Sequence, residues 1–429
     1  MGFTEEKQDN KPTNIGSEDE KSASQPALFT RAFVCIALAN FAVFFSFQLT
    51  TVGMPVYLAQ LGANEMLVGL TVTLVTAAAL LIRPFSGVIL DSFGRKGILI
   101  VGVVIMLVST IAYAVFPIVV IVLVLRVFHG LGWGLGSTST STIVADVIPK
   151  ERFAEGMGWY ALGGAISSAI APALSIFLLE QASSSFMIFA AALALGIALI
   201  FSLLIEDSLK PSAGSSVIDE SKPHNNKEAS SGSEVIKKGK FDALIERGAW
   251  LPSLGMFLTS VGFASVTAFI ALYGMEQGVA NISLYFVVYA LVTILTRPII
   301  GRLADKNGYF IPSIIGILCV LATLLIISIS HEILLFCVAG VFSGIGMGTV
   351  SGMFQTMAVS TVPPQRKGVA TSTFLIGLDG GLCVGSAIAG VVAGVAGYAG
   401  MFAFMGIFPL VTLILFLTCY KKWSKNQNI

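Results

Sequence analysis

The chain has 429 residues, of which 55% are apolar and only 11% are charged, and its mean hydropathy is +0.88. A soluble domain carries about 25% charged residues, so this composition excludes an ordinary soluble fold. The net charge of +1 gives no sign of a nucleic-acid partner. Long apolar stretches separated by short polar loops predict an all-α membrane protein, because a helix satisfies its own backbone hydrogen bonds within lipid.

Twelve apolar runs are long enough to cross a bilayer, which takes about 20 residues. Six of them lie near 32–58, 67–90, 97–115, 117–140, 157–179 and 185–205. The other six lie near 250–273, 281–303, 310–330, 332–357, 368–396 and 400–419. The predicted organisation is therefore a tail, a six-helix bundle, a linker, a second six-helix bundle and a tail, over 1–31, 32–205, 206–248, 249–420 and 421–429.

The linker over 206–248 is rich in polar residues and includes the basic run Lys237–Lys240. We predict that it is largely disordered, with a surface helix near Phe241–Arg247. Lys and Arg residues lie in the tails, the linker, alternate loops or the spans, whereas loops such as Gln60–Met66 and Tyr273–Ala280 contain none. The positive-inside rule then predicts a multi-pass protein of the cell membrane with both termini in the cytoplasm.

The two bundles repeat one sequence pattern at the offset of 214 residues that separates Arg83 from Arg297. The same offset carries Phe128, Gly130, Gly132 and Gly134 onto Phe342, Gly344, Gly346 and Gly348. Because six crossings return the chain to its starting side, the halves are parallel repeats. Parallel repeats are a transporter plan in which the solute binds near the membrane midplane between the halves.

The loop between spans 2 and 3 carries Gly87, Asp91, Gly94, Arg95 and Lys96, with a reduced copy at Gly301, Asp305 and Gly308. This pattern resembles the signature loop of the major facilitator superfamily, and the likeness covers the chain from about 32 to 419. The resemblance implies a latch at the cytoplasmic ends of the halves, in which Asp91 approaches a helix N-terminus and Gly87 permits close helix contact. Arg95 and Lys96 are also explained as positive-inside anchors.

A second resemblance lies in span 4, where Arg126 precedes Gly130, Gly132 and Gly134, as an arginine does in this superfamily. A charge at this depth is costly, so it should face a cavity or a polar partner. The repeat counterpart of Arg126 is Gly340, which indicates a task in one half only. The alternative is that Arg126 pins span 4 to neighbouring helices by hydrogen bonds.

Asp379 is the acidic residue that the pattern places well inside a span, in span 11. A carboxylate held away from water is a candidate proton carrier, and the alternative is a static partner for an arginine or for backbone amides. Its repeat counterpart is Ala165. His129 is a further coupling candidate because histidine titrates near neutral pH, although a packing role also explains it.

Span 5 carries a weakened form of the motif that is typical of drug–proton antiporters, made of Gly158, Ser167, Ala171, Pro172 and Ser175. In that motif glycines pack span 5 closely against span 8, and the proline bends it. Here Ser167, Ala171 and Ser175 stand where glycine is usual, and all three are still small.

The resemblance also implies that spans 1, 4, 7 and 10 line the solute cavity. The side chains there that suit an organic solute are Asn40, Phe44, Gln48, Trp133, Phe263 and Gln355. Aromatic rings and neutral amides favour an amphipathic or weakly charged molecule over a sugar phosphate. Each aromatic residue is also explained by packing.

We predict a monomeric secondary transporter that exports a small organic molecule in exchange for protons by alternating access. A proton-coupled importer and a non-transporting sensor of the same fold are the alternatives. The sequence shows no phosphate-binding loop, metal-ligand cluster or nucleophile motif, so we expect no enzyme activity, cofactor or metal. The five cysteines lie in or beside spans without metal-ligand spacing, as small apolar residues.

Overall fold

The computed structural model describes residues 2, 27–149, 152–205, 246–360, 362 and 366–426. The N-terminal half forms helices α1 Arg31–Gln60, α2 Glu65–Phe93, α3 Arg95–Val115, α4 Val119–Val147, α5 Phe153–Gln181 and α6 Ser184–Leu203. The C-terminal half forms α7 Trp250–Glu276, α8 Ser283–Asn307, α9 Phe310–Ser328, α10 Ile333–Ser360, α11 Lys367–Met405 and α12 Ile407–Asn426. The predicted all-α membrane architecture is confirmed, while the linker up to residue 245 lies outside the described residues.

Two repeat-related glycines explain the tight turns of the signature loop. Gly94 joins α2 to α3 with a φ of +83°, and Gly308 joins α8 to α9 with a φ of +71°. Glycine reaches this region of φ without steric cost, whereas a residue with a Cβ does not. The recurrence of glycine at both positions is therefore a backbone requirement of the turn.

The last apolar stretch, Val369–Lys425, has 57 residues and is too long for one crossing. Gly397 interrupts α11 with φ 70° and ψ 173°. The ring of Tyr398 lies 6.3 Å from that of Tyr273 near the end of α7, whereas Trp423 Nε1 donates to the Gly248 carbonyl, 2.9 Å away, just before α7 begins. The chain thus reverses at Gly397, and the described residues make twelve crossings.

One boundary prediction is wrong. The tail was expected to begin at residue 421, but α12 continues to Asn426. Trp423 explains the extension, because its buried side chain packs into the core of the C-terminal half. This packing and the Gly248 bond fix a helical turn that hydropathy alone assigns to the tail.

The helix ends fall on two sides. We call the side with Arg31, Leu203 and Trp250 the basic side, because the tails and the linker join the bundle there. The opposite, neutral side carries the short loops after Gln60 and after Glu276. This naming rests on the chain alone and leaves the cytoplasmic assignment a prediction.

The apolar cores show how the two halves meet. One core contains residues of both halves, including Leu58 of α1 and Phe269 of α7, and lies toward the neutral side. Toward the basic side, a core around Val43 contains N-terminal residues only, and a core around Phe354 contains C-terminal residues only. Among the described residues, the halves therefore pack together on the neutral side and separate toward the basic side.

Candidate functional site

An ion pair joins the two halves about midway along α2 and α11. Arg83 Nη2 lies 2.9 Å from Asp379 Oδ2, and the two side chains are 18% and 11% exposed. Burying either charge alone would be costly, whereas the close pair offsets part of that cost. The pair therefore links α2 to α11 and makes their contact sensitive to the charge on Asp379.

Close backbone packing continues this seam between α2 and α11 toward the neutral side. A side chain at Gly69 would overlap the Ser386 carbonyl, and the Gly390 Cα lies 3.1 Å from the position of that added Cβ. The Thr73 hydroxyl donates to the Cys383 carbonyl at 3.1 Å. Only small residues allow this approach, so the glycines determine how closely the halves pack.

A carboxylate closes the second seam, between α5 and α8. Glu180 of α5 accepts hydrogen bonds from the Ser283 backbone at 3.3 Å and from the Ser283 hydroxyl at 2.8 Å. Ser283 is the first residue of α8, where a negative charge is favoured by the unpaired N–H groups and the helix dipole. The repeat counterparts of Glu180 and Ser283 are Gly394 and Gly69. The two seams are thus related by the repeat but closed by different chemistry.

On the basic side, the signature loop makes contacts within its own half. Arg95 forms an ion pair with Asp146 in the last turn of α4, and Lys96 is half-buried. Gly94 is exposed, as is its counterpart Gly308. The side chains of Gly87, Asp91 and Asp305 lie outside the described part of the structure, so the latch stays a prediction.

Arg126 and His129 lie inside the N-terminal half, away from the Arg83–Asp379 pair. Both are fully buried. Arg126 Nε donates to the Thr71 carbonyl on α2, 2.9 Å away, and the Tyr113 hydroxyl of α3 interacts with the same guanidinium. His129 Nδ1 lies 3.5 Å from the Thr110 hydroxyl. The cluster contacts α2, which also carries Arg83.

The predicted cavity residues of the N-terminal half are mainly buried within that half. Asn40 accepts a hydrogen bond from the Thr140 hydroxyl at 3.2 Å. Trp133 stacks on Phe47 with ring centroids 3.9 Å apart and meets Phe44 edge-on at 4.7 Å. Trp133 is only 5% exposed. These contacts place Asn40 and Trp133 in the core of the half, where packing accounts for both.

The remaining cavity candidates are more accessible. Gln48 is half-buried on α1, and Phe263 packs against Tyr289 with ring centroids 6.2 Å apart. Gln355 is exposed on α10 and lines a small pocket that Arg297 and Gly301 also line. The C-terminal half therefore offers polar groups toward the side where the halves separate.

The span 5 motif contacts α1 through its serines. The Ser167 hydroxyl donates to the Phe41 carbonyl at 2.9 Å, and the Ser175 hydroxyl donates to the Leu49 carbonyl at 2.8 Å. The motif implied packing against span 8, and α5 does meet α8 at the second seam, where Ser283 bonds to Glu180. In this chain the serines attach α5 to α1 of the same half because their hydroxyl groups, unlike glycine, can donate to those carbonyls.

Three side chains of the candidate site escaped the sequence argument: Arg83, Glu180 and Asp146. Arg83 lies inside the predicted span 67–90, and a charge there was a usable signal. Glu180 and Asp146 lie at helix ends, where charged residues are ordinary. In the described residues, no cluster of three or more His, Cys, Asp or Glu could hold a metal ion.

Comparison with known proteins agrees with this architecture. The family model described as Major Facilitator Superfamily matches residues 36–370 and 279–428. An MFS-type transporter of Methanocaldococcus jannaschii is 24% identical over 369 residues, covering 84% of this chain and 91% of that protein. The staphylopine export protein of Staphylococcus aureus is 20% identical, covering 89% of this chain and 94% of that protein.

Two solved structures share the fold. A point mutant of the nucleoside transporter NupG superposes with a TM-score of 0.72 at 12% identity, over 91% of this chain and all of that chain. A bacterial homologue of the human lysosomal transporter Spinster, in an inward-facing and unoccupied conformation, gives a TM-score of 0.68 at 16% identity, over 92% and 96%. At these identities the likeness shows the fold alone.

Proposed function

The chain belongs to the Major Facilitator Superfamily, and we propose that it exports a small organic solute in exchange for protons. Membership makes it a multi-pass membrane transporter of small solutes rather than an enzyme. Direction, proton coupling, the cell membrane, cytoplasmic termini and the monomeric state are part of the proposal. The observation that carries it is the Arg83–Asp379 pair between the halves.

Proton coupling follows from what the pair does to the interface. Ionised Asp379 attracts Arg83 and holds α11 on α2. A proton on Asp379 removes that attraction, so the two helices become free to separate. Arg126 completes the proposed machinery, because it bonds to Thr71 on the same helix as Arg83. His129 lies three residues past Arg126 on the same helix and is the further coupling candidate of this cluster.

The proposed direction, export, is supported by which side of the molecule is open between the halves. The halves pack on the neutral side and separate on the basic side, which the positive-inside rule makes cytoplasmic. A solute would then enter from the cytoplasm, and closure of the basic side would release it outward. The relative from Staphylococcus aureus is named as an export protein, which supports the same direction. Uptake is the second candidate function, since gradients set the direction of a carrier.

The test is solute-driven proton flux in reconstituted vesicles, using compounds first found by a thermal-shift screen of the purified protein. Wild-type protein should move protons when such a solute is added, and Asp379→Asn should abolish this flux while the protein remains folded. Glu332→Gln, at an exposed acid on the neutral side, is the matched control and should retain it.

Orientation separates the candidate functions. Accumulation of the solute in inverted vesicles supports export, whereas accumulation only in right-side-out vesicles would contradict it. A non-transporting sensor would bind the solute without proton flux and would be insensitive to Asp379→Asn. Proton-driven transport by Asp379→Asn at the wild-type rate would remove Asp379 from the mechanism.

A further inference from the structure

A small pocket lies between α8 and α10, on the part of the C-terminal half that faces away from the neutral side. Its volume is about 150 Å³. The polar side chains that line it are Arg297, Ser351, Gln355 and Thr356, and the glycines that line it are Gly301, Gly348 and Gly352. A Cβ added at Gly301 or Gly352 would meet no atom within 4 Å. The two glycines therefore leave open space beside the polar groups.

Arg297 is the cation of this pocket, and its charge has no acidic partner among the described side chains. Its repeat counterpart, Arg83, pairs with Asp379. The residue equivalent to Asp379 in the other half is Ala165, so the duplication kept the second arginine but not a second acid. A charge kept inside a membrane span without an acidic partner among the described residues points to a ligand or to water-filled space.

The position of Arg297 suits a solute that enters from the basic side. Helix α8 touches α5 at its neutral end through Ser283 and Glu180. Arg297 lies 14 residues further along α8, roughly 21 Å at 1.5 Å per residue. The halves have separate cores on that side, and Arg297 is exposed. Arg297 is thus an exposed cation of α8 that lies toward the basic side.

We propose that this pocket binds a carboxylate group of the transported solute through Arg297, an inference that rests on the proposed function. A guanidinium offers two parallel N–H groups that match a carboxylate. The Gln355 amide adds a donor beside it, whereas the Ser351 and Thr356 hydroxyls donate to the Met347 and Gly352 carbonyls of their own helix. The volume accepts a carboxylate with a few attached atoms, while the rest of the solute extends into the opening. The class of substrate is thus an organic acid or a zwitterion.

The test measures binding to purified protein without a proton gradient. Sodium succinate, sodium benzoate and sodium citrate serve as probes, each compared with sodium chloride at equal ionic strength. Wild-type protein should show a saturable rise in melting temperature with at least one carboxylate. In Arg297→Gln the apparent affinity should fall about 10- to 100-fold, the loss expected for a hydrogen-bonded charge pair. Arg302→Gln, an exposed arginine on the same helix, should bind as the wild type does.

Three outcomes of the binding measurements would overturn the inference. One is equal affinity in Arg297→Gln and the wild type, and another is no saturable shift with any of the three probes. The third concerns a lipid headgroup, which shares the anionic chemistry. In nanodiscs, Arg297-dependent stabilisation by phosphatidylglycerol but not phosphatidylcholine, with loss of the carboxylate effect, would assign the pocket to lipid.

Two further controls distinguish a failure of this inference from a folding defect of the variant and from a failure of the proposed function. Should Arg297→Gln fold poorly, Arg297→Lys keeps the charge without the two-pronged geometry and should still weaken carboxylate binding. Because no gradient is present, loss of proton coupling leaves the binding result unchanged. Proton-driven transport that is indifferent to Arg297→Gln would overturn this inference and leave the exporter proposal standing.

Discussion

The carboxylate of Glu180 in α5 contacts the first residue of α8, and this contact should hold the neutral side closed. Glu180→Ala removes two hydrogen bonds that cross the halves, to the Ser283 backbone and hydroxyl. A charge at a helix N-terminus contributes about 0.3–1 kcal/mol, and hydrogen bonds to a charged group contribute about 1.5–3 kcal/mol. Glu180 is half-buried, so we assign about 1–2 kcal/mol to its stabilisation of the closed state. Losing that stabilisation corresponds to about a 5- to 30-fold shift toward the state open on this side.

Distance measurements between spin labels on the neutral side test this magnitude. Labels at Pro117, in the loop before α4, and at Glu332, in the loop before α10, report the separation of the halves in a background without native cysteines. Glu180→Ala should populate a longer distance than the wild type, and Glu276→Gln, at an exposed glutamate on the same side, should not. An unchanged distance distribution in Glu180→Ala would refute the idea that this contact closes the seam.

Three further outcomes are expected. Gly69→Val should prevent closure of the neutral side because its side chain meets backbone, whereas Gly97→Val meets open space and should leave the same label distances unchanged. Arg126→Met should keep or raise the melting temperature while lowering proton-driven transport, because a buried charge without an acidic partner costs stability; a fall of several degrees would instead assign Arg126 to pinning α4. Gly397→Ala should lower the melting temperature by a few degrees, since φ 70° with ψ 173° is a region open essentially to glycine and costs other residues about 1–3 kcal/mol. Gly196→Ala, in open space, is its control.

The sequence predicted most of the fold because the bilayer fixes the length and apolarity of each crossing. All twelve spans fall on helices, and the repeated glycines at Gly94 and Gly308 mark turns that need positive φ. The end of α12 was misplaced, because the turn at Trp423 is fixed by tertiary packing and by the bond to Gly248. Hydropathy reports the environment of a segment and carries no information about such a contact.

The candidate site was less accessible to sequence reasoning, since pairing depends on which helix faces meet. Asp379 stood out as an acid inside a span, and an arginine was one of its expected partners. The offset relates Arg83 to Arg297 within the repeat, but it does not tell which of them lies near Asp379. The structure supplies that relation, at 2.9 Å. In contrast, Trp133 looked like a cavity residue because its place on span 4 was known and its stacking on Phe47 was not.

In the proposed exporter, the positions where the repeat is broken would couple the proton to the solute. A symmetric duplication would place the same chemistry at the α2–α11 and α5–α8 seams. Instead one seam holds Arg83 with Asp379, whereas the other has Arg297 opposite a repeat position that became Ala165. A proton can neutralise Asp379, the partner of Arg83. A solute carboxylate can pair with Arg297, which has no acidic partner among the described residues. In the proposed transport cycle both seams open and close in one rearrangement, so each event changes the free energy of that rearrangement, which is the requirement for coupled transport.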